Sequence, residues 1–318
     1  MRPVSPTGRA ILFAALEPGA AAWMAPVWQR MPETSVVALA PVARAHLQRC
    51  GTRLPAVTRD LTDDIRTLLN EERTCEVLLS ATGAPTESDI IAACRAADVH
   101  VTQIVDTWGG YERRFGHQAP HAIAVIDARA EAECRAAGAP AAAYVHLGHP
   151  AWEIAPALAP GDPRCVLVVG QPIAAIYGSQ LGYDEESVMT SITRVANRRP
   201  DLVDRVRYLA HPAEDRPAVA RVLREAAAAL EQAGTVIGMF SSLLVDAMLG
   251  GRHVVVVQPG DGPDLFGPSR HGLLPRCRSE QDIERALETT SYGDGAVRLR
   301  HIVAGSTSRV LTHLEMAA

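Results

Sequence analysis

Short apolar runs alternate with helical stretches along the whole chain, which leaves few folds open to it. Ile11–Ala15, Ser35–Leu39, Glu76–Leu79, Val99–Val105, Ala122–Ile126 and Ala143–Leu147 read as strands. Helical patterns fill the gaps at Ala20–Arg30, Val42–Arg49, Ser88–Ala97 and Ala128–Ala137. Strands that are apolar along their whole length suit a sheet covered on both faces. Strand and helix in strict alternation then predict an α/β fold with parallel sheets.

The second half repeats the scheme. Cys165–Val169, Val206–Leu209, Thr235–Met239 and His253–Val257 read as strands, and Glu185–Asn197, Arg216–Glu231, Leu243–Leu249 and Ser279–Glu288 as helices. Between the halves, Gly148–Pro163 breaks the pattern with Pro150, Pro156, Pro160 and Pro163. With 318 residues the chain has room for two domains of about 150 residues each. The expected organisation is an N-terminal domain over 1–148, a linker over 149–163 and a C-terminal domain over 164–318, two Rossmann-like units facing each other across a cleft.

Composition removes several functions. All 31 basic residues are Arg, so neither a Schiff-base lysine nor a Walker-type lysine is available. A formal net charge of −5 without a basic tract argues against nucleic acid as a partner. The six cysteines are scattered with no C-x-x-C pair, which fits reduced thiols and neither a zinc site nor a disulfide framework. The apolar stretch Ala10–Leu16 stops at Glu17-Pro18, too short for a signal peptide or a membrane span. The expectation is a cytoplasmic chain with no transmembrane segment, metal or cofactor. A homodimer is compatible with the sequence.

Open parallel sheets bind ligands beyond the carboxyl ends of their strands. Three such ends carry suitable chemistry here. Phe240-Ser241-Ser242 lies where a strand enters a helix. Free backbone N–H groups, the helix dipole and two hydroxyls suit a phosphate, although either serine could serve only as an N-cap. His211-Pro212 follows the strand Val206–Leu209, and its imidazole can donate to phosphate or ribose; a surface histidine beside a turn is the plainer reading. Asp106-Thr107-Trp108-Gly109-Gly110-Tyr111, with Arg113 and Arg114 behind it, follows an apolar strand of the first half. Asp106 can accept a proton from an attacking hydroxyl, and Trp108, Gly109, Tyr111 and Arg114 can form a sugar-binding loop. The alternative is an Asx-turn with the rings filling the core. Gly170-Gln171-Pro172 opens the second half without the G-x-G-x-x-G fingerprint, and Gly170 allows close backbone approach to a ligand. Gly148-His149-Pro150, a second His-Pro, reads as a hinge.

His211-Pro212 followed by Ser241-Ser242, in that order and spacing, resembles the bacterial GT-B glycosyltransferases, in particular the sialyltransferase, polysialyltransferase and capsule-polymer group. That group also carries an acidic–acidic–Gly motif; Asp106-Thr107-Trp108-Gly109 departs from it with a single acid. The resemblance implies transfer of a sugar from a CMP- or UDP-linked donor to a hydroxyl or amine acceptor, metal-independent and inverting. By the same resemblance Gly170, Gln171, His211, Pro212, Ser241 and Ser242 hold the nucleotide, and Asp106 and His211 act catalytically. Two other readings stay open. Sugar-nucleotide 2-epimerases or hydrolases share the architecture, and a binding-only protein of this fold is consistent with the missing second acid.

Overall fold

The computed structural model describes residues 10–61, 67–69, 74–211, 219–289 and 293–317. The chain divides into two compact units, Met1–Ile154 together with Ile302–Ala318, and Ala155–His301.

The first unit holds β1 (Ala10–Ala15), β2 (Ser35–Leu39), β3 (Val57–Asp60), β4 (Thr74–Ser80), β5 (His100–Ile104), β6 (Ala122–Val125) and β7 (Ala143–His146). They form one parallel sheet in the order β3-β2-β1-β4-β5-β6-β7, the Rossmann order, which reverses direction between β1 and β4. Alternate residues of β1 serve opposite faces. Ile11, Phe13 and Ala15 join one core with Trp23, Met24 and Trp28, while Leu12 and Ala14 join another with Ile90, Ile91 and Cys94. Phe13 meets Trp28 edge-on at 5.8 Å. The helices after β1, β2 and β4 begin at Pro18, Pro41 and Pro85. Proline fits a helix start because its missing N–H would have no partner there.

The first unit also claims the chain's end. Helix Ser306–Ala317 buries Val310 and Leu314 in the core containing Trp23. Glu153 accepts hydrogen bonds from Gly305 N (2.6 Å), Thr307 N (2.8 Å) and Thr307 Oγ1 (2.7 Å), and His149 N donates to Ser306 Oγ at 2.9 Å. Gly148 sits at φ +74°, and a Cβ there would lie 2.1 Å from Ser306 Oγ, so a side chain has no room.

Two sequence expectations change here. The stretch 149–163 is not a free linker. Pro150 opens a helical turn, Pro150–Glu153, and Trp152 and His149 are buried. The hinge expected at His149 is therefore a packed corner of the first unit. The second compact unit ends at His301, not at 318, because the apolar stripe of the last helix is covered by the first unit's core.

The second unit holds β8 (Asp162–Val169), β9 (Arg205–Leu209), β10 (Ala233–Gly238), β11 (His253–Val257) and β12 (Arg276–Cys277). The parallel order β12-β11-β10-β8-β9 is the flavodoxin-like arrangement, with its switch point between β8 and β10. Helix Glu185–Arg198 starts on a capping box of Asp184 and Ser187, and helix Glu280–Glu288 on one of Ser279 and Asp282. Among the described residues no helix is long and apolar enough to cross a membrane.

Candidate functional site

In the second unit the tips of β8, β9 and β10 share the carboxyl edge of the sheet. Gln171, just past β8, accepts a hydrogen bond on Oε1 from Phe240 N at 2.7 Å, tying the two switch-point loops together. Gly170 N donates to Leu209 O at 2.8 Å, which extends the pairing of β8 with β9. A Cβ on Gly170 would lie 2.4 Å from Tyr208 Oη and 3.0 Å from Leu209 O, so a side chain here would have to displace the Tyr208 ring of the neighbouring strand. Ser241 Oγ accepts from Leu243 N at 3.3 Å, a weak local bond. Ser242 occupies the N-cap position of helix Leu243–Leu249 with helical backbone angles and no capping hydrogen bond from its exposed side chain. The plain N-cap reading therefore does not account for Ser242. His211 is half-buried at the tip of β9, with the tip of β8 between it and the serines. Pro212 lies outside the described residues.

Sequence reading overlooked the brace under this edge. Gln258, fully buried at the end of β11, donates to Met239 O (3.0 Å) and Asp264 Oδ1 (3.1 Å) and accepts from Leu265 N (2.9 Å). Asp264 in turn accepts from Phe266 N and Ser269 Oγ. This network fixes the Gly/Pro/Asp loop after β11 against the strand that delivers the serines. Phe240 packs edge-on against Tyr177 at 5.9 Å.

The first unit gathers charge at its own switch point. Asp106 follows β5 and is paired through Oδ1 with Arg114 Nη1 at 3.0 Å. The same Nη1 stands 3.8 Å from Glu17 Oε1, at the tip of β1. Arg114 is further fixed by Ala81 O (2.9 Å) and Gly109 O (3.1 Å). Gly19 passes so close that a Cβ would lie 2.3 Å from Asp106 Oδ2. Burial, then the Asp106 charge, push the Glu17 carboxyl up to about 7, with Arg114 opposing them. Glu87, also buried, accepts from Ser80 Oγ, Thr82 N, Thr82 Oγ1 and Gly83 N, and so shapes the loop after β4. Burial raises its pKa as well.

Of the acceptor-loop residues read from the sequence, Asp106 and Arg114 come together. Trp108 and Tyr111 are 3% and 5% exposed. Trp108 donates to Asp127 Oδ2 at 3.3 Å and stacks on Trp152 at 5.5 Å, so its ring is engaged by protein. Trp152 stacks in turn on His149 at 3.8 Å. His149 accepts from Trp152 N on Nδ1 and bonds the Asp106 backbone, and burial holds its pKa down at about 3. A neutral imidazole with Nδ1 accepting must donate from Nε2, so His149 buttresses the loop that carries Asp106. Nothing in the local sequence marks Glu17 or Gly19, because their contacts are with residues about ninety positions away. Among the described residues no group of three or more His, Cys, Asp or Glu side chains is arranged to hold a metal ion.

No family model and no curated protein sequence matches the chain. Solved structures do. A putative UDP-N-acetylglucosamine 2-epimerase from Listeria monocytogenes is similar at 13% identity with a TM-score of 0.64, covering 97% of each chain. The Anabaena protein Alr3699/HepE, solved with UDP and glucose, is similar at 9% identity and 0.58, over 96% of this chain and 99% of that one. The spinosyn rhamnosyltransferase SpnG, complexed with thymidine diphosphate, is similar at 14% and 0.55, over 96% and 99%. At such identities the likeness establishes the fold. The chain is a GT-B-fold protein built of two Rossmann-like units.

Proposed function

We propose that this protein is a nucleotide-sugar enzyme that transfers a glycosyl group to a hydroxyl or amine acceptor, without a metal and with inversion. The second unit binds the donor. Its diphosphate lies over the switch point, held by the hydroxyls of Ser241 and Ser242, with Gly170 and Gln171 beneath and His211 alongside. Donors aimed at the leaving phosphate stabilise the charge that develops as the glycosidic bond breaks. The acidic cluster around Asp106 and Arg114 in the first unit serves the acceptor, within the loop that includes Trp108, Gly109 and Tyr111.

The observation that carries this reading is the Gln171–Phe240 hydrogen bond. It ties the β8 and β10 loops into one edge, beside which the Ser242 side chain is exposed and makes no capping hydrogen bond. The ligands of similar folds, UDP and thymidine diphosphate, support a pyrimidine nucleoside diphosphate over the CMP of the sialyltransferase likeness. A second reading, a sugar-nucleotide 2-epimerase or hydrolase, is favoured by the paired carboxylates Glu17 and Asp106, since such chemistry needs an acid and a base.

Incubation with UDP- and TDP-sugars, with and without a panel of hydroxyl and amine acceptors, tests the proposal by chromatography. Acceptor-dependent release of UDP or TDP supports transfer. Epimerised donor without acceptor supports the second reading. An unchanged donor under every condition refutes both.

A further inference from the structure

We infer that the second unit carries another small-molecule site, a cavity at the amino end of β11 that takes a neutral aromatic molecule bearing one hydroxyl, with His253 as its hydrogen-bonding partner. The inference concerns one unit only and stands apart from the sugar-transfer reading.

The cavity arises from a mismatch in strand length. β11 runs from His253 to Val257, but β12 pairs only with Val256 and Val257. Around the unmatched start of β11 lie Leu273, Leu274 and Pro275, Ala286 of helix Glu280–Glu288 and Gly295 of helix Gly293–Val303, and they enclose a cavity of about 210 Å3. All of them belong to the second unit. The last of these helices cannot move in to fill the space. It already touches the opposite wall at Gly295, where a Cβ would lie 2.0 Å from Leu273 O. Protein interiors hold few voids larger than a water molecule, so one of this size that packing cannot close is a place for a ligand.

Strand alternation aims His253 at this space. His253, Val255 and Val257 share one face of β11, and on that face Val255 and Val257 pack with Cys277 and Ile283. His253 is buried, and burial holds its pKa below the usual imidazole value. The ring is therefore neutral, with one donor and one acceptor nitrogen. The other polar groups at the wall are engaged elsewhere or lie in the open. Thr289 Oγ1 donates to Arg285 O at 2.9 Å. Arg252 turns Nε to Leu230 O at 2.7 Å and Nη2 to Glu231 O at 3.3 Å. Asp294 is exposed, and burial pushes the Cys277 thiol up to about 12, so it stays uncharged.

Size and polarity then select the ligand. An apolar cavity of about 150 Å3 binds benzene, so this larger one admits a benzene ring with a substituent. Met248, Val255, Leu273 and Leu274 suit the ring, and the single imidazole suits one hydroxyl. An ionised carboxylate would enter without a counter-charge, which is costly in a buried site. The choice falls on a phenol and against a benzoate. Helix Leu243–Leu249 has Ser242 before its first turn and Met248 in its last, and β11 runs from His253 to just before Gln258. The cavity and the switch-point edge thus lie at opposite ends of the same two elements, and a phenol does not compete with a nucleotide.

The test titrates phenol, toluene and benzoate into the full chain by calorimetry, beside His253→Leu and Ala286→Phe, whose melting temperatures are measured first. One phenol site per chain is expected, with affinity lowered about tenfold or more in each variant. His253→Leu removes the hydrogen bond and leaves the apolar wall, so its affinity for toluene stays within about threefold of wild type. Ala286→Phe fills the space, so it weakens toluene as well as phenol. Because Ala286→Phe keeps His253, it tests the site even if His253→Leu fails to fold. In wild-type protein labelled with 13C at histidine, one imidazole resonance should move as phenol is added, and that resonance should be missing from His253→Leu. A wild type that binds no phenol overturns the inference, as does a phenol affinity unchanged in the folded variants. Benzoate bound more tightly than phenol overturns the neutral-ligand assignment, and displacement of phenol by UDP overturns the location.

Discussion

Replacing Gly19 by alanine sets two physical effects against each other, and their balance is readable. Gly19 is the second residue of helix Pro18–Trp28, where alanine would ordinarily stabilise by at most about 1 kcal/mol. Here the new Cβ would lie 2.3 Å from Asp106 Oδ2, a full ångström inside normal contact. Asp106 cannot simply swing out, because its other oxygen is held by Arg114 and the pair is largely enclosed. Displacing one member of such a pair costs about 3 kcal/mol, the low end for breaking a buried pair. The expected net effect is a loss of about 2 kcal/mol, or roughly 4–8 °C in the melting of a unit this size. The assay has a built-in reporter. All four tryptophans, Trp23, Trp28, Trp108 and Trp152, belong to the first unit, so intrinsic fluorescence follows its unfolding alone. A Gly19→Ala protein as stable as wild type, or more stable, would refute the close approach and with it the enclosed state of Asp106.

Further predictions follow from the same packing. His149 is held neutral, so the unfolded chain takes up a proton near pH 6.5 while the folded one resists until about 3. Its contribution is complete above about pH 6.5 and is lost as pH falls, by about 3 kcal/mol at pH 4; His149→Gln should flatten that slope in fluorescence-detected urea titrations. Glu153→Ala removes the acceptor shared by Gly305 and Thr307, and amides of Ser306–Ala317 should exchange with deuterium at least tenfold faster by mass spectrometry. Gln171→Ala unties the two switch-point loops and should cost about 1 kcal/mol of stability, measured by calorimetry, and weaken nucleotide binding several-fold.

The architecture was legible where burial is complete. Ser35–Leu39, Leu243–Leu249 and His253–Val257 have the bounds read from the sequence, because each is an apolar run closed by proline, glycine or serine. Val57–Asp60 escaped notice because a half-exposed edge strand spelled V-T-R-D has no apolar signature. Ile173–Tyr177, Gly267–Arg270 and the two-residue β12 are too short for any periodicity to register. The last helix carries its core contacts at Val310 and Leu314, an i, i+4 pair whose partner surface lies in the other half of the sequence. Asp106 could be located locally, since it lies two residues past the end of an apolar strand. Glu17 could not, because its distinction comes from a charge and a guanidinium delivered by distant strands. For Trp108 the sequence left a sugar-binding loop and a core-filling ring both open, because the partners that engage the ring, Asp127 and Trp152, are remote in sequence.

Titration calorimetry of UDP and TDP against the wild-type chain and a Ser241→Ala/Ser242→Ala variant decides whether the serine pair holds a nucleotide. One nucleotide site per chain is expected, with affinity reduced about tenfold or more in the variant, as loss of two hydrogen bonds to a charged phosphate requires. Equal affinity in both proteins would contradict it, as would heats showing that neither nucleotide binds the wild type.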